Sequence, residues 1–198
     1  MIKRLFDIVF SLPGLIIISP FLLIFALLIK ITSPGPIFYR GKRIGRFGKP
    51  FRIFKFRTMV ENADKMGGHS TASDDPRLTK IGKFLKKYQI DETPQLINVL
   101  KGEMSFVGPR PEVKEYVDMM TEEEKKTILS VPQGMTDLAS LWDFHEGEVL
   151  KGSFDPEKTY IEKIRPEKIR LQMEYVKNHS FLIDFKLIIK TILKIFHG

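Results

Sequence analysis

Two adjacent carboxylates, Asp91 and Glu92, are the residues of this 198-residue chain best suited to do chemistry. They directly precede Thr93-Pro94, and apolar residues then recur at helical spacing up to Gly102. Thr favours the N-cap and Pro the first helical position, so the pattern predicts a helix that starts at Thr93-Pro94 and stops at Gly102. The start of a helix is electropositive and attracts phosphate, which suits phosphoryl transfer through an aspartyl-phosphate on Asp91. A helix start that is merely capped and solvated by two acidic residues is the alternative.

A basic segment precedes the acidic pair. Residues 30–60 contain nine Lys and Arg residues and no Asp or Glu. Within them, Phe51–Arg57 alternates apolar and basic residues, which predicts a strand that brings Arg52, Lys55 and Arg57 close together. One interpretation is adhesion to anionic lipid, worth about 1 kcal/mol per cation near the surface. The other is that one or two of these cations hold a substrate phosphate, and the two interpretations are compatible.

Further elements must bring the basic and acidic residues together. The Gly-, Ser- and Asp-rich stretch Asn62–Asp75 is predicted to be a mobile loop, and Thr79 is predicted to cap a helix over Lys80–Tyr88. Lys86 is expected on the outer, basic face of that helix. Arg110 follows the acidic pair and stands between two prolines, which restrict its backbone, and a guanidinium binds phosphate with a planar pair of donors. An incidental Arg in a surface turn is the alternative.

The N-terminal stretch Ile8–Ile29 contains no charged residue. As a helix at about 1.5 Å per residue it is roughly 33 Å long, enough to cross a bilayer core of about 30 Å. Ser19-Pro20 interrupts it, because Pro20 lacks an N–H and its ring clashes with the preceding turn, while the Ser19 hydroxyl replaces part of the lost hydrogen bonding. Basic residues flank both ends, which favours a re-entrant hairpin with both ends cytoplasmic over a straight span.

Composition narrows the partners of the chain. The net charge of +8 suits nucleic acid, an anionic membrane surface or a phosphorylated substrate. The apolar N-terminal stretch accounts for the basicity and no nucleic-acid-binding motif is present, so we expect no nucleic-acid partner. There is no cysteine, and the four histidines show no metal-ligand spacing.

The C-terminal half is predicted to be helical. Thr121 and Glu124 have the spacing of a capping box. A helix is expected over Ile161–Lys177, with an interruption at Pro166, and an amphipathic helix over Ser180–Phe196. The lysine stripe of that last helix suits a membrane interface, and a helix that closes the core is the alternative. The predicted fold is α+β and mostly helical, with a re-entrant membrane anchor at 1–31 and a catalytic domain with short strands and an interface helix at 32–198.

Several long stretches resemble the bacterial sugar transferase family, the monotopic polyprenyl-phosphate phosphoglycosyl transferases. The Ser19-Pro20 break matches the family, and so do Lys55–Met59, Asp75–Gly82, Asp91–Gly102, Met104–Pro111 and Pro132–Ser140. Two positions depart from the family pattern. Gln133 stands where Pro-Gly is usual, and Gln172 stands where an acidic residue is frequent. The chain lacks the multi-span N-terminal region of larger relatives and resembles the small, minimal form.

The resemblance implies an activity and roles for residues. The family transfers a sugar-1-phosphate from a UDP-sugar to polyprenyl (undecaprenyl) phosphate and releases UMP, at the cytoplasmic face of the bacterial inner membrane. On that pattern Asp91 is the nucleophile of a ping-pong reaction, and Glu92 assists deprotonation of the lipid phosphate or holds metal. The expected phosphate-binding cations are Arg110, Lys55, Arg57 and Arg77.

A cofactor is expected beside the acidic pair. A pyrophosphate next to two carboxylates requires a counter-cation, so Mg²⁺ on Asp91 and Glu92 is the expected cofactor. Two other functions stay open at this point: a membrane-bound phosphohydrolase of nucleotide-sugar or lipid phosphate, and a non-enzymatic adaptor that uses the basic segment. The sequence does not identify the sugar, the pathway or the oligomeric state.

Overall fold

The computed structural model describes residues 2–143 and 145–197. Helices dominate these residues. In chain order they are α1 (Ile2–Thr32), α2 (Lys80–Lys87), α3 (Leu96–Lys101), α4 (Lys114–Asp118), α5 (Glu122–Ile128), α6 (Leu138–Trp142), α7 (Glu146–Val149), α8 (Pro156–Thr159), α9 (Arg165–Asn178) and α10 (Phe181–His197). Short 3-10 turns cover Arg46–Gly48, Ala63–Lys65 and Ile90–Gln95, and a π-helical turn covers Tyr160–Ile164.

Six short strands form three separate pairs. They are β1 (Phe38–Tyr39), β2 (Lys42–Ile44), β3 (Pro50–Arg52), β4 (Lys55–Phe56), β5 (Ser105–Val107) and β6 (Gly134–Thr136). The pairs β1–β4 and β2–β3 are antiparallel, and β5–β6 is parallel with Ser105 opposite Gly134. The chain is therefore mostly helical with short strands, as predicted.

Helix α1 has an inverted distribution of polar and apolar side chains. Its buried residues include Asp7 and Ser11, while large apolar side chains such as Ile17 and Leu23 are exposed. Among the described residues, α1 is the one helix long and apolar enough to cross a membrane. An apolar surface of this extent is stable only against other apolar material, so α1 fits association with a membrane.

Both ends of α1 are attached to the rest of the chain. Near its start, Arg4 donates to the carbonyl oxygens of Val99 and, at 2.6 Å, Leu100, which lie in the last turn of α3. Near its end, Ile29 is buried in a cluster with Phe56 of β4 and Leu85 of α2. The helix therefore contacts, at both ends, the elements that carry the acidic pair.

The predicted strand over Phe51–Arg57 is wrong. The structure divides it between β3 and β4, which belong to different pairs. The break is made by Asn98 of α3, whose carboxamide accepts from Phe54 N at 2.8 Å and donates to Arg52 O at 2.9 Å. Because a side chain from α3 takes the hydrogen bonds a strand partner would use, the backbone turns and the basic side chains do not converge.

The predicted helix start is displaced. The chain already turns at Gln89, which has a left-handed backbone (φ 54°), and the 3-10 turn Ile90–Gln95 places the acidic pair inside the first turn. Thr93 is not an N-cap, since its hydroxyl donates back to Ile90 O at 2.8 Å. The predicted stop is confirmed, because Gly102 ends α3 with φ +81°.

Three predicted helix boundaries are confirmed by their hydrogen bonds. Thr79 caps α2 by accepting from Gly82 N, and both bonds of the capping box between Thr121 and Glu124 are present at the start of α5. The predicted helix over 161–177 is interrupted where expected: it is π-helical before Arg165, and α9 begins with Pro166 in its first turn.

Helix α10 is partly buried and partly exposed, so the prediction of a membrane-interface helix stays a prediction. Leu187 is buried, and the buried Asp184 binds Lys3 of α1 and accepts from the Tyr175 hydroxyl of α9 at 2.6 Å. Other apolar side chains, such as Phe185 and Ile189, remain exposed. The helix closes part of the core and presents a second apolar surface beside α1.

Candidate active site

The acidic pair is held by the 3-10 turn Ile90–Gln95, which packs against β4, α2 and α3. Asp91 is 6% exposed, and its neighbour Glu92 is also largely covered. Because β4 lies directly against this turn, Lys55 of β4 reaches both carboxylates. Arg110, in the Pro-Arg-Pro turn after β5, reaches Glu92 from another direction. Two of the four predicted phosphate-binding cations therefore meet at the acidic pair.

The two carboxylates share these cations unequally. Lys55 Nζ lies 2.7 Å from Glu92 Oε1 and 3.8 Å from Asp91 Oδ2. Arg110 donates to the same Glu92 oxygen. Among the described residues, none donates a hydrogen bond to the Asp91 carboxylate, so Asp91 is the more available of the two.

The pKa values of the pair are displaced in opposite directions. Burial raises the pKa of Asp91 to about 6; Lys55 opposes this effect and the charge of Glu92 adds to it. Burial also acts to raise the pKa of Glu92, but Arg110 and Lys55 overcome it and hold that pKa well below its usual range. At neutral pH both groups are ionised, with the negative charge of Asp91 less compensated.

Lys86 is a third cation at the site, which corrects its predicted place on the outer face of α2. Its Nζ donates to Thr71 O at 3.2 Å, and its side chain is largely covered. Burial and the positive charge of Lys55 lower the pKa of Lys86 to about 8, while Asp91 acts in the opposite direction. The three cations together attract a dianionic phosphate to the neighbourhood of Asp91.

Arg77 lies apart from this site. Its guanidinium binds Asp75 through two nitrogens and donates to the carbonyl oxygens of Ala63, Gly68 and Ser70. An arginine has five N–H donors, and these bonds use all of them. Both partners of the pair are buried. The structure does not support a phosphate-binding role for Arg77, which instead closes the loop that was predicted to be mobile.

Arg57 is also committed elsewhere. It is buried and donates to the carbonyl oxygens of Ser33 (2.8 Å) and Pro34, at the turn that follows α1. Gly35 has φ +109°, and a Cβ there would lie 2.1 Å from the Arg57 guanidinium. Arg57 therefore fixes the connection between α1 and β1, and the structure does not support the expected phosphate contact.

The structure does not show the predicted interruption at Ser19-Pro20, since α1 continues as one helix from Ile2 to Thr32 through both residues. Pro20 removes one backbone donor there, and the Ser19 hydroxyl donates to Ile16 O at 2.8 Å. The hydroxyl thus satisfies the carbonyl oxygen that the Pro20 ring approaches, as the sequence predicts.

The residues of the acidic pair fit a magnesium ion. Mg²⁺ is commonly bound by one or two carboxylates together with substrate phosphates and water, and Asp91 and Glu92 are adjacent carboxylates that face cations suited to phosphate. No group of three or more acidic, His or Cys side chains that could hold a metal occurs within residues 2–143 and 145–197. A metal held here would therefore depend on the substrate for part of its coordination.

A cavity of about 120 Å³ adjoins the site. Lys55 and Arg110 contribute to its wall, so a phosphate drawn to these cations lies beside the acidic pair. The wall also includes Gln172 and Lys168 of α9. Lys168 is neutralised there by Glu146 and by Asp143, whose Oδ2 lies 3.3 Å away.

Three side chains that shape or adjoin the candidate site were not identified from the sequence. Lys86 and Gln95 follow helical periodicity like ordinary surface or core residues, and Asn98 stands among apolar residues of α3. An Asn in an apolar helix face is the one signal available, because a buried carboxamide requires partners. Gln172 was noted in the sequence only as a departure from the family.

The candidate site thus combines a buried carboxylate, two cations that bind its acidic neighbour, and an adjoining cavity lined by the same two cations. The family model described as bacterial sugar transferase matches residues 1–198. The chain belongs to the bacterial sugar transferase family.

Individual relatives agree with this assignment. The chain is 36% identical over 200 residues to the UDP-N-acetylgalactosamine-undecaprenyl-phosphate N-acetylgalactosaminephosphotransferase of Aeromonas hydrophila, covering 100% of this chain and 44% of that protein. It is 36% identical over 197 residues to the UDP-glucose:undecaprenyl-phosphate glucose-1-phosphate transferase of Escherichia coli (strain K12), covering 98% and 40%. It is 36% identical over 203 residues to the exopolysaccharide production protein PSS of Rhizobium leguminosarum bv. phaseoli, covering 96% and 93%. The chain thus spans less than half of the first two relatives and nearly all of the third.

Proposed function

We propose that this protein transfers a sugar-1-phosphate from a UDP-sugar to undecaprenyl phosphate and releases UMP. The observation that carries the proposal is the buried Asp91, whose pKa is raised to about 6, next to Lys55. Lys55 and Arg110, which both bind the neighbouring Glu92, line the adjoining cavity. The printed activities of the Aeromonas and Escherichia relatives support this choice of donor and acceptor. They do not favour the phosphohydrolase or the adaptor.

In the first step an Asp91 carboxylate oxygen attacks the sugar-linked phosphorus of the donor. The bond between that phosphorus and the bridging oxygen breaks, and UMP leaves with the electron pair on this oxygen. An acyl phosphate between Asp91 and the sugar remains. Lys55 and Arg110 stabilise the charge that develops on the phosphoryl oxygens, and they exchange Glu92 for substrate oxygens as they do so.

In the second step an oxygen of undecaprenyl phosphate attacks the same phosphorus. The bond to the Asp91 oxygen breaks, which restores the carboxylate and gives undecaprenyl diphospho-sugar. Glu92, whose pKa is held well below its usual range, is a weak proton acceptor. Its pairing with Lys55 and Arg110 instead supports a role in orienting these cations and, with Asp91, in holding Mg²⁺, which when bound neutralises charge on the phosphates.

We further propose that α1 enters and leaves the membrane on the same, cytoplasmic face. Arg4 near its start and Ile29 near its end contact the same folded part of the chain. A helix that crossed the bilayer between these two residues would place one of the contacts on the far side, away from that part. The exposed apolar side chains of α1 and α10 would then share one membrane surface near the site, where a polyprenyl tail can lie.

Acceptor dependence tests the transfer. Purified protein in lipid nanodiscs is mixed with a UDP-sugar, and UMP is quantified with and without undecaprenyl phosphate. Transfer predicts at most one equivalent of UMP per protein without the lipid and sustained release with it. Sustained UMP release without lipid would identify a hydrolase, and no release under either condition would contradict both enzymatic functions. Asp118→Asn, which alters an exposed carboxylate in α4, is the matched control for Asp91→Asn.

A further inference from the structure

Two buried glutamine side chains on the cavity wall lack the partners that such groups require. Gln172 of α9 and Gln95 are each 1% exposed. Within the described residues, neither Nε2 nor Oε1 of Gln172 has a hydrogen-bond partner, and Nε2 of Gln95 has none. Both side chains line the cavity that Lys55 and Arg110 also line. Buried polar groups are nearly always paired, so these atoms require an explanation.

A third buried glutamine shows what the fold does with this side chain elsewhere. Gln133 is also 1% exposed, but its Nε2 donates to the carbonyl oxygens of Ile128 and Val131, both at 3.2 Å. It serves the turn after α5 and lies outside the cavity wall. The unpaired amides are therefore particular to the cavity, and they point to a ligand that supplies the missing partners.

The cavity limits what that ligand presents. Its volume of about 120 Å³ is small beside the roughly 300–1,000 Å³ of sites that enclose a whole drug-sized ligand, so it receives one ring of a larger molecule. Lys168 on this side is neutralised by Glu146 and Asp143. Gln172 itself carries no charge and suits a neutral, polar part of the ligand, whereas Lys55 and Arg110 suit an anionic part.

We propose that Gln172, with Gln95, binds the uracil ring of the nucleotide donor; this inference rests on the proposed function. A carboxamide places a donor and an acceptor side by side in one plane, and the imide edge of uracil presents the complementary pair, N3–H and a carbonyl oxygen. An acetamido group on the sugar does not match, because a trans amide has its N–H and C=O on opposite edges. The Nε2 of Gln95 donates to a further oxygen of the nucleotide.

The test compares binding of UMP and 3-methyl-UMP, which cannot donate from N3, by calorimetry of the full chain in nanodiscs. Wild type is expected to prefer UMP roughly 10- to 100-fold, the discrimination typical of one bidentate pair. Gln172→Met keeps a similar side-chain volume without hydrogen-bonding groups. It is expected to remove this preference by lowering the affinity for UMP while leaving the affinity for 3-methyl-UMP unchanged. Gln133→Met is the matched control and is expected to retain the preference.

Stability separates a binding role from a folding role. Gln172→Met removes an unpaired buried amide, so its melting temperature without ligand is expected to equal or exceed that of wild type, whereas Gln133→Met loses two hydrogen bonds and is expected to melt lower. A Gln172→Met protein that melts lower and still prefers UMP overturns the proposal. So does an unchanged preference in Gln172→Met together with a raised KM for the UDP-sugar, which would assign the amide to the sugar.

Failure of this inference can be told apart from failure of the proposed function. A wild-type protein that acquires a phospho-sugar on Asp91 but shows no preference for UMP over 3-methyl-UMP contradicts only the uracil site. A wild-type protein that neither acquires the adduct nor binds UMP contradicts the proposed function, and the uracil site with it.

Discussion

Lys55 donates a 2.7 Å hydrogen bond to Glu92, although its Nζ also lies 3.8 Å from the neighbouring Asp91. Since Arg110 binds the same Glu92 oxygen, the short contacts of both cations are made to Glu92 and not to Asp91. Asp91 is left buried and less stabilised, which is the state a nucleophilic carboxylate requires. The adjacent carboxylates thus have different electrostatic environments, because they lie at different distances from Lys55.

The first step is predicted to depend on pH through Asp91. Its pKa of about 6 means that the carboxylate is protonated, and unreactive, at lower pH. The rate of UMP release in a single turnover without lipid is expected to rise through about pH 6 and to level off above pH 7. A rate that stays constant down to pH 4.5 would contradict the raised pKa.

Glu92→Gln serves as the control for that profile. It removes a like charge beside Asp91 and leaves Lys55 and Arg110 without their usual partner, so the pKa of Asp91 is expected to fall and the midpoint to move to lower pH. Glu124→Gln, in the capping box of α5, is expected to leave the midpoint unchanged.

Asp91→Asn is predicted to stabilise the fold at neutral pH. The folded-state pKa of Asp91 is raised above the unfolded value of 3.8, so its contribution to stability is fully present below pH 3.8 and is lost as pH rises through about 6. Asn carries no such penalty. The gain over wild type is expected to be near zero at pH 4 and about 1–3 kcal/mol at pH 8, measured by denaturant unfolding in detergent. A lower stability of Asp91→Asn at pH 8 would contradict the account.

Replacement by Met is predicted to lower stability at Arg77 and catalytic efficiency at Arg110. Arg77→Met leaves Asp75 buried without its partner, so it is expected to cost about 3–5 kcal/mol of stability while the folded fraction keeps its kcat. Arg110→Met leaves Glu92 paired with Lys55, so it is expected to change stability little and to lower kcat/KM about 100-fold or more. Melting temperature and activity per folded molecule distinguish these outcomes. If Arg77→Met instead lowered kcat/KM without loss of stability, and Arg110→Met lowered stability without loss of kcat/KM, Arg77 would be the phosphate-binding residue.

The topology of α1 is predicted to leave both flanks inside the cell. Single cysteines replace Ile2 and Lys42, which is possible because the chain has no native cysteine. Neither is expected to react with a membrane-impermeant maleimide in intact cells, and both are expected to react after permeabilisation. Labelling of either position in intact cells would show that α1 crosses the bilayer.

The sequence predicted helix boundaries correctly where the hydrogen-bonding partners are close along the chain. Thr79 and the Thr121–Glu124 pair bond three residues away, and Gly102 ends its helix through its own backbone. Composition likewise identified the apolar α1, and the resemblance to the family linked Lys55 to the acidic pair. These features depend on short range or on composition, which a single sequence contains.

Features that depend on contacts between residues far apart in the sequence were not predicted. Asn98 breaks the predicted strand through a bond to Phe54, 44 residues away in sequence. Arg57 and Arg77 resemble any other basic residues of the segment, and only the fold shows that their donors are already used. Lys86 has helical spacing typical of an exposed face, but the loop at Thr71 covers it. Long-range hydrogen bonds decided each of these cases.

The most direct test of the central claim is intact-mass analysis of the protein after mixing with UDP-sugars in the absence of lipid. Wild type is predicted to gain the mass of one phospho-sugar, located on Asp91 by fragmentation and removed on addition of undecaprenyl phosphate. Asp91→Asn is predicted to gain nothing, and Asp118→Asn to behave as wild type. An adduct of the same mass on Asp91→Asn, or lipid-linked product formed by that variant at the wild-type rate, would contradict a covalent role for Asp91.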